Sequence, residues 1–310
     1  DEPFAQVIVG EAGFEGELTR FGHGLQRSFL LAVLQELSGS DMEGGPRLIL
    51  ACEEPELYQH PPQARHLYNV LSKLSNSNSQ VIICTHSPYF VSGEQFESVR
   101  LVRKVNRATS ISKATFEEVS TLIAKGKGKQ PVKRTGMLAK INQSLQAHIS
   151  EMFFAPKIIF TEGYEDVAYI TTYLHLLELW DEYRRSGCHI IPCDGKSGII
   201  QPLAIAKCLG IPIFVIFDSD GHKPDKNGSR EKHRKDNETI LKLCEVKTLD
   251  PFPSEDVWED RVVMWASEIG ERVKTDIGEE DWKEIRAEAD KQFGHTAGLR
   301  KNDLHIATAL

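Results

Sequence analysis

The 310-residue chain has no apolar run approaching the roughly 18 residues of a bilayer-crossing helix, so no membrane partner is expected. Its six cysteines, Cys52, Cys84, Cys188, Cys193, Cys208 and Cys244, form no Cys-x-x-Cys pair, and several sit in apolar strand-like runs. Such spacing excludes a paired-thiol site and fits reduced core thiols, which implies a cytoplasmic home. There is no initiator Met and the acidic opening DEPFAQ is unlike a signal peptide, so a fragment of a longer protein is expected. Positive charge is also short. The 37 Lys and Arg against 45 Asp and Glu leave a net charge of -8, which excludes a protein that coats nucleic acid over its whole surface. Finally, no GxxxxGK[ST] occurs, and GKGKQPVK has the wrong spacing with no strand ahead of it. Without that loop nothing cradles the β- and γ-phosphates of a nucleotide, and ATP turnover by this chain alone is not expected.

What is present describes two α/β domains. A hydrophobic content of 40% and a charged content of 26% suffice for two buried cores. RLILACEEPEL (47–57) and QVIICTHSPYF (80–90) are too continuously apolar for half-exposed strands. They are expected as buried strands of a parallel sheet, with helical spacing over 63–74 between them. KIIF (157–160), CHIIP (188–192) and IPIFVIF (211–217) recur as short β runs separated by helical stretches at 165–180 and 198–209, a βαβαβ pattern. Between these halves KGKGKQPVKR (125–134) carries five basic residues in ten and reads as a mobile interdomain loop. The tail from 256 reads mostly helical, with Trp258, Trp265 and Trp282 available for packing. There is no internal repeat and no long low-complexity segment.

Acids gather where parallel strands end. After KIIF comes TEGYED, with Glu162 at the strand end and Asp166 four residues on, near the start of a helix. After IPIFVIF come Asp218 and Asp220, which point the same way because they are two apart in an extended chain. Gly163 and Gly221 allow sharp turns beside them. Four converging carboxylates repel unless cations neutralise them, and hard oxygen donors without His or Cys suit Mg²⁺ or Mn²⁺. A lone DxD is otherwise a turn or helix cap, and the same spacing opens haloacid-dehalogenase-type phosphatases, in which the first Asp is a nucleophile.

IIFTEGYED followed about fifty residues later by VIFDSDG resembles the Toprim domain of topoisomerases, bacterial primases and the OLD (overcoming lysogenization defect) nucleases. Upstream, LILACEEPELYQHP resembles the Walker B strand of an ABC-type ATPase, with Glu53 in the Mg²⁺-associated position and Glu54 in the water-polarising one. VIICTHSPYF resembles the switch strand, which implies that His86 senses the γ-phosphate. FGHGLQRSFLLAVLQ resembles the signature loop and helix, with Gly22 and Gly24 facing a nucleotide held by another subunit, although Thr19 or Phe21 stands where a serine is usual. An ABC-type ATPase followed by Toprim is the layout of the OLD family. The resemblance implies an α/β chain with the C-terminal part of the ATPase domain over 1–110, a connection over 111–155 and a Toprim nuclease domain with C-terminal helices over 156–310. It further implies two Mg²⁺ or Mn²⁺ ions, with Glu162 and Asp166 around one and Asp218 and Asp220 near it or shared with the other. ATP is implied as a ligand of the full-length protein, DNA as partner, and a homodimer.

A further acid should complete the second metal site, and PFPSEDVWED after the expected strand VKTLD offers Glu255, with Asp256 as the alternative. At a third strand end, IPCDGKSG places Lys196 to hold a phosphate. The resemblance to OLD-type nucleases, with a functional lysine late in the chain, implies that Lys301 of GLRKNDLHIATAL, or else Arg300, stabilises transition-state charge. HKPDKNGSREKHRK (222–235) carries six Lys or Arg directly after the aspartate pair, so Lys223, Arg230, Lys232, Arg234 and Lys235 are the expected DNA-backbone contacts. KGKGKQPVKR is the second candidate. No aromatic interleaving suggests base stacking. The expected activity is metal-dependent DNA endonuclease action coupled to an ATPase, in DNA maintenance or phage defence. The alternatives are an ATP-sensing regulator that binds nucleic acid without cutting it, and a topoisomerase-like enzyme. The latter is disfavoured because the tyrosines lie in or near the two cores.

Overall fold

The first described residues form an antiparallel hairpin, β1 (Ile8–Glu11) and β2 (Phe14–Glu17), followed by α1 (His23–Gly39). The computed structural model describes residues 6–11, 13–39, 48–76, 79–225, 228–246 and 250–310. The chain divides into two units, Asp1–Phe90 and Val91–Leu310. In the first, β3 (Leu48–Glu53) pairs in parallel with β4 (Ser79–Cys84), connected by α2 (Pro61–Ser75). Prolines open α2, its buried Ala64, Leu67, Leu71 and Leu74 recur at helical spacing, and the first three cover one face of the pair against Leu50, Val81 and Ile83. The opposite face is not covered. Ile49 is 69% and Ile82 59% exposed, so the expectation that both strands are buried throughout fails. The reason is layering: among the described residues the pair has two strands and a helical layer on one side only.

The second unit opens with the hairpin β5 (Leu101–Val105) and β6 (Ala108–Ser112). Helices α3 (Phe116–Lys127), α4 (Arg134–Ser144) and α5 (Ala147–Ser150) follow. Thr115 and Glu118 cap α3 reciprocally, and Gly128 at φ 60° ends it in the left-handed conformation that glycine tolerates. Segment 111–155, read from the sequence as a connection, thus supplies Phe116, Val119, Ile123, Met137 and Ile141 to the main core. Next come β7 (Lys157–Thr161), α6 (Tyr164–Leu176), α7 (Trp180–Arg185), β8 (Cys188–Pro192), α8 (Lys196–Cys208), β9 (Ile213–Asp218) and α9 (Ser229–Leu243). The chain closes with β10 (Val257–Glu259), β11 (Val262–Trp265), α10 (Ile269–Ile277), α11 (Glu279–Gln292) and α12 (Asp303–Ala309).

The five-stranded sheet runs β10-β11-β9-β7-β8, parallel except for β10. Ile158, Phe160, Val215, Phe217, Val262 and Met264 face α3, α8 and α9, while Phe214, Ile216, Val263 and Trp265 face α6, α10 and α12. Alternation along each strand therefore fills two cores, one per face, as a parallel sheet requires. From β7 the chain steps to β8 on one side and then to β9 on the other, so the topological switch falls between β7 and β9. The tail is less helical than the sequence suggests: VVMW is a strand, too short and too apolar for periodicity to separate from a buried helix. Trp258 stays exposed and meets Trp265 edge-on, while Trp282 packs on the second core. The strand expected at VKTLD falls on Lys247, Thr248 and Leu249, which lie outside the described residues. Among the described residues no helix is long and apolar enough to cross a membrane.

Candidate active site

The switch between β7 and β9 is where acids meet. Glu162 leaves the end of β7, and Asp166 sits in the first turn of α6, its carboxylate accepting from the Gly163 amide at 2.9 Å. Asp218 ends β9, and its backbone N–H donates to Glu162 Oε1 at 2.9 Å, which joins the two strand ends. Asp220 follows in the left-handed region at φ 59°, a conformation Asp tolerates better than most residues. Buried Ser219 between them is pinned on both sides: its N–H and hydroxyl donate to the carbonyls of Trp265 and Ala266 at 2.8 and 2.7 Å, and buried Asn237 donates to its carbonyl at 2.8 Å.

The electrostatics split the acids in two. Burial, then the charges of Glu162, Asp166, Asp220 and Glu268, push Asp218 up to about 9. Burial likewise lifts Glu162 to about 7 against the pull of Lys196, and Asp166 to about 6 against the Gly163 amide. Asp218 Oδ1 is buried with no hydrogen-bond partner among the described residues. Burial acts on Asp220 too, but Lys196 and Lys223 outweigh it and hold that carboxyl below its usual range. Lys196, only 5% exposed, donates to Asp220 at 2.7 Å and stands 4.0 Å from Glu162. Lys223 bridges Asp220 at 2.6 Å to Glu268 at 2.9 Å, and His233 lies 3.0 Å from Asp220. The orphaned Asp218 oxygen and three carboxyls lifted by missing counter-charge are the chemistry a hard divalent cation satisfies, so the donor set fits one. Glu162, Asp166 and Asp220 are turned to protein partners, and among the described residues no group of three or more His, Cys, Asp or Glu stands in metal-holding geometry.

Of the other residues expected here, Lys301 reaches the cluster, donating to Glu165 at 2.6 Å and standing 3.8 Å from Glu268. Arg300 is turned away onto Asp290 at 2.7 Å. Glu255 is exposed on a shallow cavity with Asp250 and Met264, and makes no hydrogen bond or ion pair with the four acids among the described residues. Asp256 holds the Ala266 amide at 2.8 Å and Arg272 at 3.4 Å, a fastening after β11. Within the basic segment, Arg230 and Arg234 lie over the Phe252 ring and Lys235 pairs with Glu231 at 2.9 Å. Sequence reasoning missed Glu165, Glu268 and His233. Glu268 follows β11, so recognising that strand would have shown an acid at a fourth strand end. Tyr164, beside Glu162, is 72% exposed, and Tyr58 is exposed too, so the tyrosines are not all core residues.

In the first unit the ends of β3 and β4 also gather acids. Glu54 takes φ 43°, its N–H donates to the Cys84 carbonyl at 2.7 Å, and its carboxylate lies 3.6 Å from the His86 ring. Glu56, not singled out from the sequence, accepts from Thr85 at 2.5 Å and from the His86 amide at 3.3 Å. Arg27 of α1 donates to the Glu54 carbonyl at 2.7 Å, and Gly24 lies against Gln59 and the Tyr58 carbonyl. Glu53 is exposed at the strand end, and Gly22 directly precedes α1.

Residues 2–91 match the family model described as AAA ATPase domain, and residues 153–220 match the overcoming lysogenization defect protein-like TOPRIM domain. The OLD nuclease of Thermus scotoductus is 26% identical over 71% of this chain and 40% of its own length. The Old nuclease of Escherichia phage P2 is 26% identical over 66% of this chain and 34% of its own. Endonuclease GajA of Bacillus cereus is 28% identical over 57% and 27%. The chain thus spans less than half the length of the curated relatives it matches. An ATPase-domain segment followed by a TOPRIM domain of the overcoming lysogenization defect type, each matched where the acids gather, is what the chain shares with these nucleases.

Proposed function

We propose that the second unit is the cutting part of a DNA endonuclease that works with divalent ions, Mg²⁺ or Mn²⁺, coupled in a longer protein to ATP hydrolysis. The observation that carries this is the meeting of Glu162, Asp166 and Asp218 at the β7–β9 switch with a buried, unpartnered Asp218 oxygen. Those three residues would hold the ions, with Asp220 joining once Lys196 or Lys223 lets go. Two bound ions activate water and neutralise charge on a phosphodiester and its leaving oxygen. The chain's own part is positional: Lys301 brings an ammonium group to the rim of the cluster, where the strand's phosphate would lie, and buried Lys196 brings one to its interior. The nuclease names of the relatives support the cutting activity; DNA maintenance or phage defence in the cytoplasm, by a homodimer, is the setting proposed from the sequence resemblance.

Supercoiled plasmid incubated with the protein and Mg²⁺ or Mn²⁺ tests it. Nicking that disappears in Asp218→Ala and Glu162→Ala, both still folded, is expected; nicking retained by either overturns the assignment. The exposed Tyr164 favours one other reading, covalent strand transfer. Denaturing gels decide it: protein–DNA adducts lost in Tyr164→Phe would support that reading, whereas Tyr164→Phe nicking at the wild-type rate is the expected result.

A further inference from the structure

The two basic stretches that the sequence keeps a hundred residues apart come together on one surface. The last turn of α3 packs against α9 closely enough that a Cβ on Gly126 would stand 3.1 Å from Thr239 Cγ2. Lys127 closes α3, which packs against both α9 and α4, and Gly128 turns the chain before Lys129. Lys127 is pushed below the usual lysine range by burial and by the charges of Lys140, Lys129 and Lys232, with Asp236 opposing. All four lysines are exposed, and among the described residues none has a carboxylate within salt-bridge range. Other cations of the basic segment are already engaged: Lys223 with Asp220 and Glu268, Lys235 with Glu231, Arg230 with the Gly221 carbonyl and the Phe252 ring. Asp236, the acid nearest this group, is buried and accepts from Ser197 Oγ at 2.5 Å.

We infer that Lys127, Lys129, Lys140 and Lys232 form a seat for the phosphate backbone of duplex DNA, built jointly by α3, α4 and α9. Like charges brought together without partners repel, and a polyanion relieves that repulsion while releasing its counterions. The seat is also continuous with the acid cluster. Asp236 beside Lys127 is bonded to Ser197, the next residue, Lys196, is bonded to Asp220, and Asp220 adjoins Asp218. In a chain of net charge -8 this is where a duplex is attracted and led towards the acids. The partner's identity rests on the proposed nuclease reading; the surface does not.

The test is fluorescence anisotropy of a labelled duplex over a salt series, with Ca²⁺ present, comparing wild type with the fourfold variant Lys127→Gln, Lys129→Gln, Lys140→Gln, Lys232→Gln. The log–log salt slope should fall by about 3 to 4, because each lost phosphate contact removes about 0.9. Lys283→Gln with Lys291→Gln, exposed cations of α11 paired with Glu279 and Glu288, should leave it nearly unchanged. If the fourfold variant fails to fold, the pair Lys129→Gln and Lys232→Gln serves, with an expected loss of about 2. A slope within one contact of wild type overturns the inference even if the plasmid is nicked. So does a binding loss confined to phosphatidylglycerol vesicles, which would make the surface a membrane contact. A reduced slope with intact plasmid sinks the nuclease reading and leaves the seat standing.

Discussion

Asp218 needs a counter-charge that its surroundings do not supply. Its carboxyl is lifted to about 9 and those of Glu162 and Asp166 to about 7 and 6, so near neutral pH the metal-free cluster retains protons that an unfolded chain has lost. A raised carboxyl means the native state binds more protons than the unfolded state, so stability declines as pH rises from about 4 to about 9. Urea midpoints in EDTA should therefore be lower at about pH 8 than at about pH 5. Asp218→Asn should flatten the trend, and saturating Mg²⁺ should reverse it; a midpoint that rises with pH in EDTA would contradict the assigned burial. Lys196 is the opposite case, a buried cation already paired. Lys196→Met leaves Asp220 only Lys223 and His233 and should cost about 1 to 3 kcal/mol. Adding Asp220→Asn should recover part of it, as a double-mutant cycle in urea would show.

At the scale of elements, the loop from β8 into α8 governs where Lys196 points. Asp194 and Gly195 both take positive φ, and the Gly195 amide donates to the Glu162 carbonyl at 2.6 Å, so the loop is fastened to the neighbouring strand end. Gly198 sits so close to it that a Cβ would fall 1.8 Å from the Cys193 carbonyl oxygen. Gly198→Ala should therefore cost more than about 4 kcal/mol by urea denaturation. Ser197→Ala should cost only about 1 to 3 by unpairing Asp236. What was legible in the sequence follows the same physics. β7, β8 and β9 are buried on both faces and read as apolar runs, and Glu162, Asp166, Asp218 and Asp220 stand where those runs stop. Glu268 and the β10–β11 pair were illegible because four apolar residues carry no period. Asp220's engagement by Lys223 and His233 was illegible because it depends on how α9 returns to the sheet, which no local pattern encodes. The sequence favours Glu255 over Asp256, but the Ala266 amide and Arg272 engage Asp256 and Glu255 is left exposed, which no local pattern shows.

For the whole molecule, the two units differ in how well each closes its own core. Val91–Leu310 covers both faces of a five-stranded sheet, and as a separate fragment it should unfold in one cooperative urea transition. The ATPase segment holds Glu54 and His86 together, yet the chain has no phosphate-cradling GxxxxGK[ST] loop. Purified alone, it should release no phosphate from ATP above background; steady release abolished by Glu54→Gln would refute this. The half-covered β3–β4 pair also sets how the material behaves in a tube. Two parallel strands bonded only to each other among the described residues, with Ile49 and Ile82 on the open side, offer sticky edges and a greasy face to any neighbour. Light scattering should grow with protein concentration, Ile49→Thr with Ile82→Thr should suppress it, and cloudiness in a stored sample would then be a property of that one sheet rather than of the second unit.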